Sequence, residues 1–183
     1  MAPILVLYHS RGGSVRALAE ELADSIEAQG VDTLIRCVSE DGAHPQVDLV
    51  ELSQCSALAF GTPTRFGMMA SQAKAMWEQT SEMWLKGELI DKPACVFTSS
   101  SSMHGGNEAT LLNLATPLLH HGMLLVGVPY DVPALSSTTS GGAPYGASHV
   151  SGAHNNAQLS NDEKQICQAL GKRLATLTRK LND

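Results

Sequence analysis

The stretch Pro3-Ile4-Leu5-Val6-Leu7-Tyr8-His9-Ser10-Arg11-Gly12-Gly13-Ser14-Val15 changes character twice in quick succession. Pro3 to His9 is a continuous apolar run of strand length. Such a run has no polar face, so it predicts a strand covered on both sides. A glycine loop follows, and a helical pattern starts at once. From Ser14 to Gln29, Val15, Leu18, Leu22 and Ile26 fall on one helical face, and Gly30 ends the pattern. Strand, short loop and amphipathic helix form the opening of a parallel α/β unit.

The same alternation continues. Val31 to Val38, Ser56 to Gly61, Ala94 to Ser99 and Met123 to Val128 read as strands. Met69 to Met83 and Asn107 to His121 read as helices, the second with Pro117 as an expected kink. Ser160-Asn161-Asp162-Glu163 is a capping box that opens a last helix carrying Ile166, Leu170, Leu174, Leu177 and Leu181. The predicted fold is an α/β doubly wound five-stranded parallel sheet with the flavodoxin-like order 2-1-3-4-5. Residues 1–183 are expected to form a single domain. In such sheets ligands bind beyond the carboxyl ends of the strands, which is where the loops richest in polar groups fall. Residues 129–159 lack periodicity and are rich in Ser, Thr, Gly and Pro. They are expected to be an ordered excursion that lines the site or a subunit contact.

Composition excludes several classes. The formal net charge is −6, against the basic face that a nucleic-acid partner needs. Lys172, Arg173, Arg179 and Lys180 cluster at the end of a helical pattern, where cations complement the helix dipole. No apolar run approaches the roughly 20 residues that cross a bilayer. The start, Met1 to Tyr8, lacks the basic region and cleavage site of a signal peptide. Cys37, Cys55, Cys95 and Cys167 are too scattered for a zinc site, so no metal is expected, and a reducing cytoplasm suits them as buried apolar residues.

The loop after strand 1, His9 to Val15, offers hydroxyls, glycines and the amides of a helix N-terminus, which together cradle a phosphate. The plainer reading is a glycine turn with Ser14 as N-cap. No G-x-G-x-x-G follows strand 1, which favours one phosphate over a pyrophosphate. Gly141 to Ser148 imitates a nucleotide P-loop, but Ala147 stands at the lysine position. Phe60-Gly61-Thr62-Pro63-Thr64-Arg65-Phe66-Gly67-Met68 combines hydroxyls, a guanidinium and a ring, a mixture suited to a flat ligand with polar edges. Thr98 to Gly106 adds a run of hydroxyls and glycines.

The motifs Gly-Thr-Pro-Thr-Arg-Phe-Gly-x-Met, Gln79-Thr80-Ser81 with Trp84-Leu85 and Gly87, His104-Gly105-Gly106-Asn107-Glu108, His120-His121-Gly122-Met123 and Gly141 to Ser148 together resemble the WrbA family. These are flavodoxin-like, FMN-dependent NAD(P)H:quinone oxidoreductases (type IV). The resemblance implies FMN phosphate on Ser10, Arg11, Gly12, Gly13, Ser14 and Val15. It implies the flavin ring against Thr64, Arg65 and Phe66, with Ser99, Ser100, Ser101, Ser102, His104 and Gly105 on another edge. It makes His120 a flavin contact and the candidate proton donor. Trp84 and Phe66 become substrate-side residues, Trp84 reaching a neighbour's flavin in a homo-oligomer, dimer or tetramer. NAD(P)H and a quinone are the implied substrates. Two features depart from the family: Gly12 stands where some members carry an aromatic residue, and the link from Ser39 to Cys55 is short. A one-electron flavodoxin-type carrier, and a flavoprotein that acts by binding a protein partner, are the rival readings.

Overall fold

The computed structural model describes residues 1–40 and 42–182. Five strands pair in parallel in the order β2-β1-β3-β4-β5, the predicted topology. They are β1 (Ile4–Tyr8), β2 (Thr33–Cys37), β3 (Ala57–Pro63), β4 (Pro93–Ser100) and β5 (Leu124–Leu125). Side chains alternate between two cores. Ile4, Val6 and Tyr8 point to one face, and Leu5 and Leu7 to the other. The first face is covered by α1 (Ser14–Glu27) and α7 (Asn161–Asn182). The second packs against α3 (Ser71–Glu78), α4 (Ser81–Lys86) and α5 (Asn107–His120), beside the short α2 (Leu49–Gln54). On α1 the expected face is buried in full: Val15, Leu18, Leu22 and Ile26 are at most 1% exposed. No helix among the described residues is long and apolar enough to cross a membrane.

Two expectations need correction. The fifth strand is not a continuous Met123–Val128. It is split: β5 pairs only with Pro93 and Ala94, while β6 (Ala147–Val150) pairs with Phe97 to Ser100 further along β4. Between the two pieces the chain loops out through α6 (Ala134–Ser137) and crosses itself at Gly127. A Cβ there would overlap the Pro144 carbonyl oxygen. The helix expected over Met69–Met83 breaks at Gln79-Thr80, where the Thr80 hydroxyl donates to the Trp77 carbonyl at 2.7 Å instead of leaving it to the helix ladder. The long helix α5 runs through Pro117 to His120.

The link from Ser39 to Cys55 contains α2, which periodicity alone leaves hidden because it is so short. Its start is specified by a capping box: Asp48 Oδ1 accepts from Val50 N at 2.9 Å, and Glu51 Oε2 accepts from Asp48 N at 3.2 Å. Glu51 also takes a forked hydrogen bond from Arg36 of β2, which holds its carboxyl below the usual carboxylate range. Asp48→Ala should lower unfolding free energy by about 1 kcal/mol, read by chemical denaturation. No loss would mean that the Arg36 bond alone fixes this helix.

Candidate functional site

The carboxyl ends of β1, β3 and β4 release three loops onto one edge of the sheet, and these loops enclose two adjoining cavities. The narrower has a volume of about 500 Å³ and is lined by Ser10, Arg11, Gly12, Ser14, Val15, Pro63, Thr64, Arg65, Ser99, Ser100, Ser101, Ser151 and Asn155. The wider, about 1300 Å³, shares Ser10, Arg11 and Arg65 and extends past Phe66, Trp77, Trp84, His120 and His121.

The lining of the narrow cavity contains two arginines and no carboxylate. Helix α1 opens onto it. Its N-cap is Gly13 in the left-handed region at φ 89°, no side chain caps the terminus, and its first turn holds no acid. Ser14 is therefore the first helical residue and not the N-cap, which corrects the plainer reading of this loop. The residue is 8% exposed and lines the cavity wall. Ser10 Oγ accepts from Gly13 N at 3.1 Å, which shapes the loop and leaves the Ser10 hydroxyl proton for a ligand. Uncapped amides, hydroxyl donors and guanidinium groups together make a site for an anion.

The loop after β3 is held from both sides. Thr64 N donates to the Ser99 carbonyl of β4 at 2.9 Å, and the Thr64 and Thr110 hydroxyls lie 2.6 Å apart. Asn113 Oδ1 of α5 accepts from Met69 N at 3.0 Å. Within this frame Arg65 and Met68 exchange backbone hydrogen bonds at 2.8 and 3.0 Å, closing a two-residue turn. Both central residues have positive φ, Phe66 at 52° and Gly67 at 78°. Asn-Gly is the usual sequence for such a turn. A phenylalanine there is strained, and its ring is fully exposed at the mouth of the wide cavity.

At the far wall of the wide cavity, Trp84 Nε1 donates to the His120 carbonyl at 2.8 Å, which fixes the indole while leaving it half-exposed. Trp84 is therefore a surface residue of the cavity and not part of the core. Next to it His121 is buried. The Thr80 hydroxyl gives its proton to Trp77, so His121 Nε2 must donate to Thr80 Oγ1, at 2.9 Å. Burial, with the neighbouring His120, pushes the His121 pKa down, which keeps this ring neutral. The motifs gave His120 a role and left the buried His121 without one.

The structure gathers Ser10, Arg11, Gly12, Ser14, Val15, Thr64, Arg65, Ser99, Ser100 and Ser101 around the narrow cavity, with Gly13 in the same loop. It gathers Phe66, Trp84 and His120 around the wide one. Ser102, His104 and Gly105 line neither. Ser102 O accepts from Ser100 Oγ at 2.8 Å and from Gly105 N at 3.0 Å, which folds this turn on itself, and His104 is exposed. Ser151 and Asn155 line the narrow cavity although no motif marks them.

Residues 3–130 match the family described as NADPH-dependent FMN reductase. The chain belongs to this family. Full-length relatives agree with that placement. An NAD(P)H dehydrogenase (quinone) of Gluconacetobacter diazotrophicus is 36% identical, with 100% of both chains covered. One of Chromohalobacter salexigens is 39% identical over 99% of both. A flavodoxin, WrbA-like protein from Agrobacterium tumefaciens has the same fold, with a TM-score of 0.74 at 23% identity over 98% of this chain and 99% of that one. An archaeal flavodoxin follows with a TM-score of 0.69 at 21% identity, covering 98% and 99%. These findings agree with the resemblance to the WrbA family read from the motifs.

For an FMN reductase the narrow cavity is the right receptacle. An uncapped helix terminus and an acid-free wall would suit one phosphate dianion, in a cavity of about 500 Å³. The flavin ring would then lie toward Arg65 and Thr64, where the two cavities join.

Proposed function

We propose that the protein is an FMN-dependent NAD(P)H:quinone oxidoreductase that works by two-electron hydride transfer. The observation that carries this reading is the junction of the two cavities. An anion cradle opens, past Arg65, into a wide chamber with exposed aromatic walls at Phe66 and Trp84. Bound FMN supplies the hydride chemistry, and the protein supplies placement, electrostatics and protons. Ser10, Ser14 and Arg11 hold the phosphate. Thr64 and Arg65 hold the ring edge, and Arg65 sets a positive charge beside it. Phe66 and Trp84 bound a slot that nicotinamide and quinone occupy in turn. His120 faces that slot and is the proton donor to the quinone oxygen. His121 is not, since its Nε2 proton is committed to Thr80.

Phe66, Trp84, Leu85, Leu119, Leu124 and Leu125 are all exposed, and apolar side chains gain by being taken out of water. This favours a homo-oligomer, dimer or tetramer, in which Trp84 reaches a neighbour's slot. The four free cysteines are all buried, which suits a reducing cytoplasm.

One slot used twice requires ping-pong kinetics. Double-reciprocal plots of NADH or NADPH oxidation with benzoquinone should be parallel, and Trp84→Ala should raise the quinone KM severalfold while FMN stays bound. Intersecting lines would exclude the shared slot. An FMN-loaded protein that oxidises neither nucleotide would instead be a one-electron carrier.

A further inference from the structure

Behind the narrow cavity lies a buried cluster that the proposed reaction does not use. Glu163, 1% exposed, sits in the first turn of α7. Its carboxylate accepts from Ser160 N at 2.8 Å, Ser140 Oγ at 2.8 Å, Gly141 N at 2.9 Å, Val150 N at 3.0 Å and His149 Nδ1 at 2.9 Å. His149, 2% exposed, turns its other nitrogen to the Asn156 carbonyl at 2.7 Å. Both ring nitrogens thus face acceptors, so the ring is an imidazolium that donates twice. A capping box accounts for only one of these bonds, the one from Ser160 N. The rest tie the returning chain to α7.

What they tie down reaches the cavity. Asn156 N donates to Ser151 O at 2.8 Å, and Asn155 N to Gly152 O at 3.3 Å, closing residues 151–156 into a compact turn. Ser151 is fastened to β4: its N and Oγ reach the Ser100 carbonyl at 2.9 and 3.3 Å. Asn155 is held in the left-handed region at φ 50° and lines the narrow cavity. Ala157 lies against the phosphate loop, since a Cβ added to Gly13 would sit 3.7 Å from the Ala157 Cβ.

We propose that residues 149–157 are a second wall of the phosphate site, with Asn155 a direct ligand of the FMN phosphate and the His149–Glu163 pair the latch that positions it. This rests on FMN being the cofactor. The Asn155 amide supplies donors to the same cavity as the Ser10–Ser14 loop. His149 and Glu163 touch no ligand and act through Asn156. Burial on its own would raise the Glu163 pKa and lower that of His149. The hydrogen bonds outweigh it, holding Glu163 at about 2 and His149 above its ordinary value. Glu163 on α7 is the charged group acting on His149. The nearby Cys167 and Cys95 are kept protonated by burial, and Glu21 of α1 acts on Cys167. A histidine with a raised folded pKa contributes fully below its unfolded pKa. That contribution is lost as pH rises through the folded one. The latch should therefore loosen on the alkaline side.

The test compares FMN with riboflavin, which lacks the phosphate, by flavin fluorescence titration of stripped full-length protein. Asn155→Gly keeps the backbone conformation and removes the amide. It should weaken FMN binding by about tenfold and leave riboflavin and the melting temperature unchanged. His149→Asn keeps a donor for Glu163 but falls short of Asn156 O, so it should lose FMN selectively. His149→Gln reaches Asn156 O and should retain most FMN affinity. In the parent, FMN affinity should decline on the alkaline side, and both His149 variants should lack that limb. Equal losses for both flavins, tracking melting temperature, would reduce the cluster to plain structural support. Unchanged FMN affinity in Asn155→Gly and His149→Asn would remove the segment from the site. A parent that binds no FMN would overturn the cofactor reading itself and not this wall alone.

Discussion

Ser14→Ala should weaken FMN binding by roughly ten- to a hundredfold, the equivalent of losing a charge-assisted hydrogen bond of about 1.5–3 kcal/mol. The fold should not notice. A serine at an N-cap costs about 1 kcal/mol to remove, but Ser14 is the first residue inside α1, where the cap is Gly13 and no side chain bonds the terminus. Alanine is at least as good a helix former. Affinity and stability are thus separable at this position. Fluorescence titration should show the loss for FMN and none for riboflavin, and melting of the flavin-free protein should be unaltered. Unchanged FMN affinity would move the phosphate away from this helix terminus. A lowered melting temperature would show that the hydroxyl supports the fold.

The second large effect runs against helix propensity. Gly171 lies in the middle of α7, and alanine there should gain up to about 1 kcal/mol if the helix stood alone. It does not stand alone. A Cβ at this position would overlap Ser25 Oγ and lie 3.0 Å from the Leu22 carbonyl oxygen, while Ser25 Oγ donates to that same carbonyl at 3.0 Å. The contact joins α1 to α7 where both are buried. Overpacking should win, for a net loss of about 2–3 kcal/mol, or a fall in melting temperature of roughly 5–10 °C. Adding Ser25→Gly should recover much of the loss, because it removes the atoms in the way. A Gly171→Ala protein as stable as the parent would mean that α1 and α7 can separate freely. The phosphate loop would then have no rigid support.

Where the sequence spoke plainly, it did so through periodicity. Val15, Leu18, Leu22 and Ile26 define α1 because burial repeats every three to four residues. The Ser10–Val15 loop and the Thr64–Phe66 turn could be placed at one edge because parallel sheets gather the loops at strand carboxyl ends. The fifth strand misled because Met123 to Val128 is an unbroken apolar run, yet Leu124 and Leu125 are partly exposed and Gly127 marks a chain crossing. Only the partner segment, β6, reveals the split. Asn155 and Ser151 were invisible for a related reason. Ser-Gly-Ala-His-Asn-Asn has the composition of any surface loop. What brings it to the cavity is a pair far apart in chemistry from it, His149 and Glu163, buried out of sight. The Thr80–His121 bond was likewise hidden, because it joins residues from separate elements.

The split fifth strand also bears on how the protein is made. A ribosome delivers the chain from its amino end, so β1 to β5 and the cradle loops emerge well before Ala147. Until then Phe97 to Ser100 of β4 present an unpaired edge, and the face of α1 that α7 will cover stays wet. A nascent chain at that stage already has every hydroxyl of the phosphate loop but not the strand that closes the sheet. Flavin loading is therefore expected only once β6 and α7 have docked. Starving cells of flavin should yield full-length protein that is folded and waiting, and not chains stalled or degraded during synthesis.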